Sequence, residues 1–154
     1  LAGAFIARGH VHAALDETER AVTDFSTAIR LGPRLERPRF YRGQLLRKQR
    51  RFAEAIADFS EALKLAPEWI EARVECGLAR GQDGDARGAL ADFDEVLRRD
   101  PRQHDTRLNR AVALDRLGDR IAAAAELRIV LRDAPAGWPG RARAEAMLRS
   151  FEKP

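Results

Sequence analysis

The stretch from Glu36 to Trp69, ERPRFYRGQLLRKQRRFAEAIADFSEALKLAPEW, decides the fold. Its Pro67 belongs to a series, Pro33, Pro67, Pro101 and Pro135, in which each member follows the last by 34 residues. Gly43 belongs to a second series with Gly9, Gly77 and Ala111, and Ala55 to a third with Ala21, Ala89 and Ala123. Phe59 joins Phe25, Phe93 and Leu127, while Ala62 joins Ala28, Val96 and Val130. A period of this length marks a small unit repeated in tandem, because each unit can bury its apolar face only against its neighbours.

Within one unit the series divide between two antiparallel helices. The first ends near Asp16, Arg50, Gly84 and Gly118; the second ends just before each proline, which disfavours helical backbone in the residue ahead of it. In the second helix the Ala, Phe and small-or-Val series stand four and three residues apart, which places them on one apolar stripe. Small residues let backbones approach, so the Gly series is expected to face the Ala series across the pair. Gly84-Asp85 and Gly118-Asp119 supply turn chemistry between the helices. Helices are predicted over 2–15, 18–31, 36–49, 52–65, 70–83, 86–99, 104–117, 120–133 and 140–151.

This spacing and these residues resemble the tetratricopeptide repeat family, with Phe40, Gly43, Leu46, Ala55, Phe59, Ala62 and Pro67 in the expected slots of one copy. The resemblance implies an all-α fold, a right-handed αα-superhelix of helix-turn-helix repeats. It divides the chain into repeats at 2–35, 36–69, 70–103 and 104–137, with a capping helix at 138–152. That last segment sets Ala144, Met147, Leu148 and Phe151 on one face and Arg141, Arg143, Glu145 and Arg149 on the others. Glu145 stands where a fifth repeat would need its glycine, so the outer face reads as a polar end. One departure is that the aromatic near the start of each first helix is Phe5 in the first copy and Arg39, Arg73 and Arg107 afterwards.

Composition fits a self-folding helical domain: 154 residues, 45% hydrophobic, with no apolar run long enough to cross a bilayer. We read the chain as a soluble, trimmed piece of a longer protein, cytoplasmic or periplasmic. The 28 basic residues are nearly matched by 24 acidic ones, so a net charge of +4 is only weak evidence for nucleic acid, which is not the expected partner. A lone Cys76 excludes an intramolecular disulfide framework.

No catalytic, cofactor or metal set emerges. His10 and His12 are two residues apart and diverge on a helix, whereas a metal pair needs a spacing of three or four. His12 falls in a packing slot and reads as core filler, while His104 opens a helix and reads as solvated. Cys76 precedes the Gly series and reads as an inert, partly buried thiol. Asp24, Asp58, Asp92 and Glu126 recur at the period, and three of them follow an arginine, Arg8, Arg42 or Arg110, by sixteen residues. These read as ion pairs within repeats, with Asp92 needing another cation because Cys76 cannot serve.

In the family it resembles, the first helices line a concave groove that holds a partner segment. Carried over by slot, the groove here presents Arg37, Phe40, Tyr41, Gln44, Arg47 and Lys48, then Glu71, Glu75 and Leu78, then Asn109 and Arg116. The expected role is a non-enzymatic scaffold for a protein or peptide segment, with an acidic stretch over Arg37, Arg47 and Lys48. The alternatives are homo-oligomeric assembly through the uncapped N-terminal end and, ranked below it, a nucleic-acid-binding helical repeat. The Lys, Asn, Asn, Lys and Arg clamp by which some relatives grip a terminal carboxylate is replaced here by Ile6, His10, Tyr41, Glu71 and Glu75.

Overall fold

The computed structural model describes residues 1–151, and every regular element among them is an α-helix. The elements are α1 (Ala2–Ala14), α2 (Thr18–Leu31), α3 (Glu36–Lys48), α4 (Phe52–Leu65), α5 (Ile70–Asp83), α6 (Ala86–Arg99), α7 (His104–Arg116), α8 (Arg120–Asp133) and α9 (Arg141–Phe151). Each end lies within a residue of its predicted position. Glu152, the last residue assigned to the capping helix, lies outside the described residues.

The chain forms two compact units, Leu1–Ala79 and one beginning at Arg80. In the first, α1 packs on α2, α2 on α3, and α3 on α4. Phe40 and Leu46 of α3 share a buried cluster with Ala55 and Phe59 of α4 and with Ala72, Cys76 and Ala79 of α5. In the second, α6, α7, α8 and α9 pack in sequence, and Leu108, Ala111 and Leu127 meet Ala144 with Met147, Leu148 and Phe151 of α9. The apolar side of α9 therefore closes the core as the sequence pattern requires.

The glycine series receives the phenyl series of the second helix, whose neighbouring alanines share the same buried clusters. A methyl group on Gly43 would come within 2.8 Å of the Phe59 ring, and one on Gly9 within 2.9 Å of the Phe25 ring. The glycines are small because a phenyl ring of the second helix packs against the backbone of the first, and both rings are fully buried. In the last pair the glycine becomes Ala111 and the ring becomes Leu127, both wholly buried in one cluster. The added methyl is thus matched by a smaller opposing side chain.

The turns inside each pair repeat one backbone conformation: Asp16, Arg50, Gly84 and Gly118 have φ of 60°, 63°, 97° and 85°. Only the last two are glycines, so the first two hold a left-handed conformation that costs an ordinary side chain roughly 1–2 kcal/mol. Asp85 and Asp119 then accept hydrogen bonds from the backbone N–H of Gly88 and Ala122, capping α6 and α8.

Replacing the usual aromatic by arginine has a structural reason. Arg39, Arg73 and Arg107 each donate through Nη2 to the carbonyl six residues earlier, those of Pro33, Pro67 and Pro101, at 2.9, 3.1 and 3.1 Å. Each guanidinium ties the start of a first helix to the turn that delivers it.

Two outcomes follow for stability. Gly43→Ala should lower unfolding free energy by roughly 1–3 kcal/mol through overpacking, and adding Phe59→Leu should restore part of the loss, a coupling read by urea unfolding of both single variants and the double. Arg50→Gly should raise stability by about 1 kcal/mol, and an unchanged or lowered midpoint would show that the turn is not strained.

Candidate functional site

The expected ion pairs form. Arg8 donates to both oxygens of Asp24 at 2.8 and 2.7 Å, and Arg42 to both of Asp58 at 2.7 and 2.6 Å. Arg110 lies 2.8 Å from Glu126, which Arg107 also reaches at 2.9 Å. Asp92, deprived of its partner by Cys76, is met by Arg80 at 2.6 Å, one turn farther along α5. Buried carboxylates are kept charged by such pairing; the Arg8 hydrogen bonds hold the Asp24 carboxyl below the ordinary carboxylate range against the opposing pull of burial. Cys76 is buried.

His12 is not core filler. Its Nδ1 lies 2.5 Å from Glu17 and its Nε2 3.7 Å from Asp24, so the ring sits between two carboxylates. The hydrogen bond to His12 pulls the Glu17 carboxyl down from its usual range. A signal was present, since His12 and Arg80 occupy the same slot of their repeats and both reach the acid of the second helix. His104 is half-buried, its ring centroid 6.1 Å from that of Trp138, whose Nε1 donates to Asp105 at 2.9 Å.

The residues assigned to the groove divide. Phe40 is only 6% exposed and packs against Trp69 in a tilted pair with ring centroids 4.5 Å apart, so it lies between repeats rather than toward a ligand. Arg47 is not a free cation: its Nε donates to Glu75 at 2.9 Å, and Gln44 donates to the same carboxylate at 3.4 Å. Those two groups join α3 to α5. Tyr41 is half-buried, edge-on to His10 at 4.2 Å and stacked on Phe25 at 5.8 Å. Lys48 and Arg37 are exposed, with Arg37 4.0 Å from Glu36. Leu78 and Asn109 are half-buried, and Arg116 donates through Nη1 to the Gly81 carbonyl.

The structure brings Arg37, Tyr41 and Glu71 together around a cleft of about 440 Å³ whose other walls are Glu36, Ala66, Glu68 and Trp69. Trp69 donates its indole N–H to Glu71 at 3.2 Å, leaving the ring as a wall. Sequence reasoning missed Glu36, Glu68 and Trp69 because they lie at the ends and turns of helices, outside the slots that the groove pattern carries over. Among the described residues no cluster of His, Cys, Asp and Glu is arranged to hold a metal ion, and no helix is long and apolar enough to cross a membrane.

Two models of the tetratricopeptide repeat match the chain, over residues 37–69 and 77–140. The chain is a tetratricopeptide repeat protein. Its fold is similar to that of MamA from Desulfovibrio magneticus RS-1, at 21% identity and a TM-score of 0.81 over 86% of this chain and 75% of that one. It is also similar to YrrB, described as a TPR protein with an unusual peptide-binding site, at 17% identity and a TM-score of 0.82 over 96% and 76%. The first TPR of Spaghetti, solved with the HSP90 peptide SRMEEVD, matches at 18% identity and 0.73 over 76% and 93%. No curated protein matches in sequence. At these identities the structural likeness establishes the fold alone.

Asp24 gives this repeat protein a pH dependence. Its folded pKa lies below its unfolded value, so its contribution is complete above an unfolded pKa of about 3.9 and is lost as pH falls through the folded value. Asp24→Asn should lower the melting midpoint at pH 7, and the gap from the parent should narrow below about pH 4; a gap constant with pH would show that the pair adds nothing through charge.

Proposed function

We propose that this chain is a non-enzymatic scaffold, built of four repeats and a capping helix, that holds a partner peptide segment on the face of α3 and α5, with a basic side chain of that segment in the Tyr41–Trp69 cleft. The observation that carries the reading is the composition of the cleft: two aromatic walls with Glu36, Glu68 and Glu71 around them and Arg37 as the one opposing charge. An arginine or lysine side chain suits such a site, because its stem packs on the rings while its charge meets carboxylates. The peptide bound by the first TPR of Spaghetti and the peptide-binding site described for YrrB support a peptide partner.

The acidic stretch expected over the second repeat loses one of its three cations as a contact. With Arg47 bonded to Glu75, Arg37 at the start of α3 and Lys48 at its far end are the exposed cations that remain for a carboxylate. Charges placed in this order would fix the direction in which a segment lies and its rate of association more than its total affinity.

Selection of a phage-displayed library of random peptides on the folded chain tests the reading. Peptides with an arginine or lysine among apolar residues should be enriched, and Glu68→Lys with Glu71→Lys should weaken them roughly tenfold, as two exposed charges reversed against one ligand charge imply. Enrichment of acidic peptides, or binding indifferent to both substitutions, would sink it.

A further inference from the structure

The cleft beside Tyr41 and Trp69 lies one helical turn from a contact that the chain makes with its own side chain. On α5, Glu71 and Glu75 are four residues apart and so share one face. Glu75 is met from α3 by the guanidinium of Arg47 at 2.9 Å, while Gln44 donates to its other oxygen at 3.4 Å. Among the described residues Glu71 meets no cation. Its Oε2 accepts the indole N–H of Trp69 at 3.2 Å, and its Oε1 is open.

The other two carboxylates of the cleft are open as well. Glu68 is exposed and has no ion-pair or hydrogen-bond partner among the described residues. Glu36 has Arg37 at 4.0 Å, beyond hydrogen-bond reach, and the Arg37 side chain is 72% exposed. Each of Glu36, Glu68 and Glu71 thus keeps an acceptor for a ligand. The aromatic walls, by contrast, are already fixed. Trp69 is held by Phe40, with ring centroids 4.5 Å apart, and at its indole N–H by Glu71, while Tyr41 is held by Phe25 and His10.

We infer that the cleft selects arginine over lysine or methylated lysine, a step that rests on reading it as the seat of a basic side chain. The ligand's guanidinium meets Glu71 as Arg47 meets Glu75. The number and layout of donors decide the choice. A guanidinium is flat and carries five N–H donors, so it can lie along a ring while its edge reaches more than one carboxylate. An ammonium has three donors around a single atom and is the more strongly hydrated group. A trimethylated ammonium has no donor, so it would use the two rings and leave the three acceptors unanswered.

The test follows the indole N–H of Trp69, assigned with Trp69→Phe, by proton–nitrogen correlation NMR of the folded chain. The probes are the Nα-acetyl amides of arginine, lysine, trimethyllysine and citrulline, each titrated separately. Trp138, whose indole N–H is bonded to Asp105, supplies the internal control. Arginine should move the Trp69 signal and not that of Trp138, with an affinity roughly three- to tenfold above that of lysine, as one added hydrogen bond implies. Trimethyllysine should bind more weakly than lysine, and the uncharged citrulline should leave the signal in place. Glu71→Gln keeps an oxygen for the indole N–H and should bring arginine and lysine to equal, weakened affinity. Lysine or trimethyllysine binding the parent as tightly as arginine does, or an arginine preference unchanged in Glu71→Gln, would overturn the inference and leave a basic side chain in the cleft. A Trp69 signal that none of the cationic probes moves would overturn both.

Discussion

The contact on which the fold depends is that of a phenyl ring lying on a glycine. With no side chain at Gly9 or Gly43, the first helix of a pair comes close enough for its backbone to rest on Phe25 or Phe59. The ring fills space that would otherwise need several smaller groups, and burying it is worth roughly 1.5–3 kcal/mol. Because the ring and the glycine lie on different helices, the contact fixes both the separation and the register of the pair. The neighbouring alanines, Ala21 and Ala55, are wholly buried beside the rings and cannot grow without pushing the helices apart.

Close approach brings polar groups inward as well, and this determines how the ion pairs are built. Asp24, Asp58 and Asp92 are all buried on the second helices, where an unpaired carboxylate would be costly. An arginine from the first helix answers the first two. For the third, the loss of arginine at position 76 is offset by Arg80, which shares the helix face of Cys76 one turn later. Replacement of one partner thus leaves the pairing intact, because the constraint is on the carboxylate being met and not on the slot that meets it.

This distinction explains how much was legible from the sequence. Helix positions were visible to within a residue because proline, glycine and the apolar stripe act locally and recur at a fixed period. The pairing of Arg42 with Asp58 was visible because its spacing is the fixed offset between two helices of one repeat. That the glycines make room for phenyl rings was not read from the sequence, since size alone does not tell whether a small residue faces another small residue or a large one; the joint change to Ala111 and Leu127 was the available clue. The role of Arg39, Arg73 and Arg107 was not visible at all, because its acceptor is a backbone carbonyl, which every residue has.

The face of α3 and α5 shows where reading by slots stops. Arg47 and Glu75 lie on successive first helices and cancel across the face, so counting them as a basic patch followed by an acidic one describes charges that a ligand does not meet separately. On the proposed binding face, the remainder after Arg47 and Glu75 have paired is Glu36, Glu68, Glu71 and Arg37 around the rings of Tyr41 and Trp69, with Lys48 farther along α3. The carboxylates in that remainder come from the start of α3, the turn before α5 and the first turn of α5, positions that the repeat brings together only after the helices have packed. The charge that this face presents therefore depends on the ion pair between successive repeats as well as on the number of charged residues it carries.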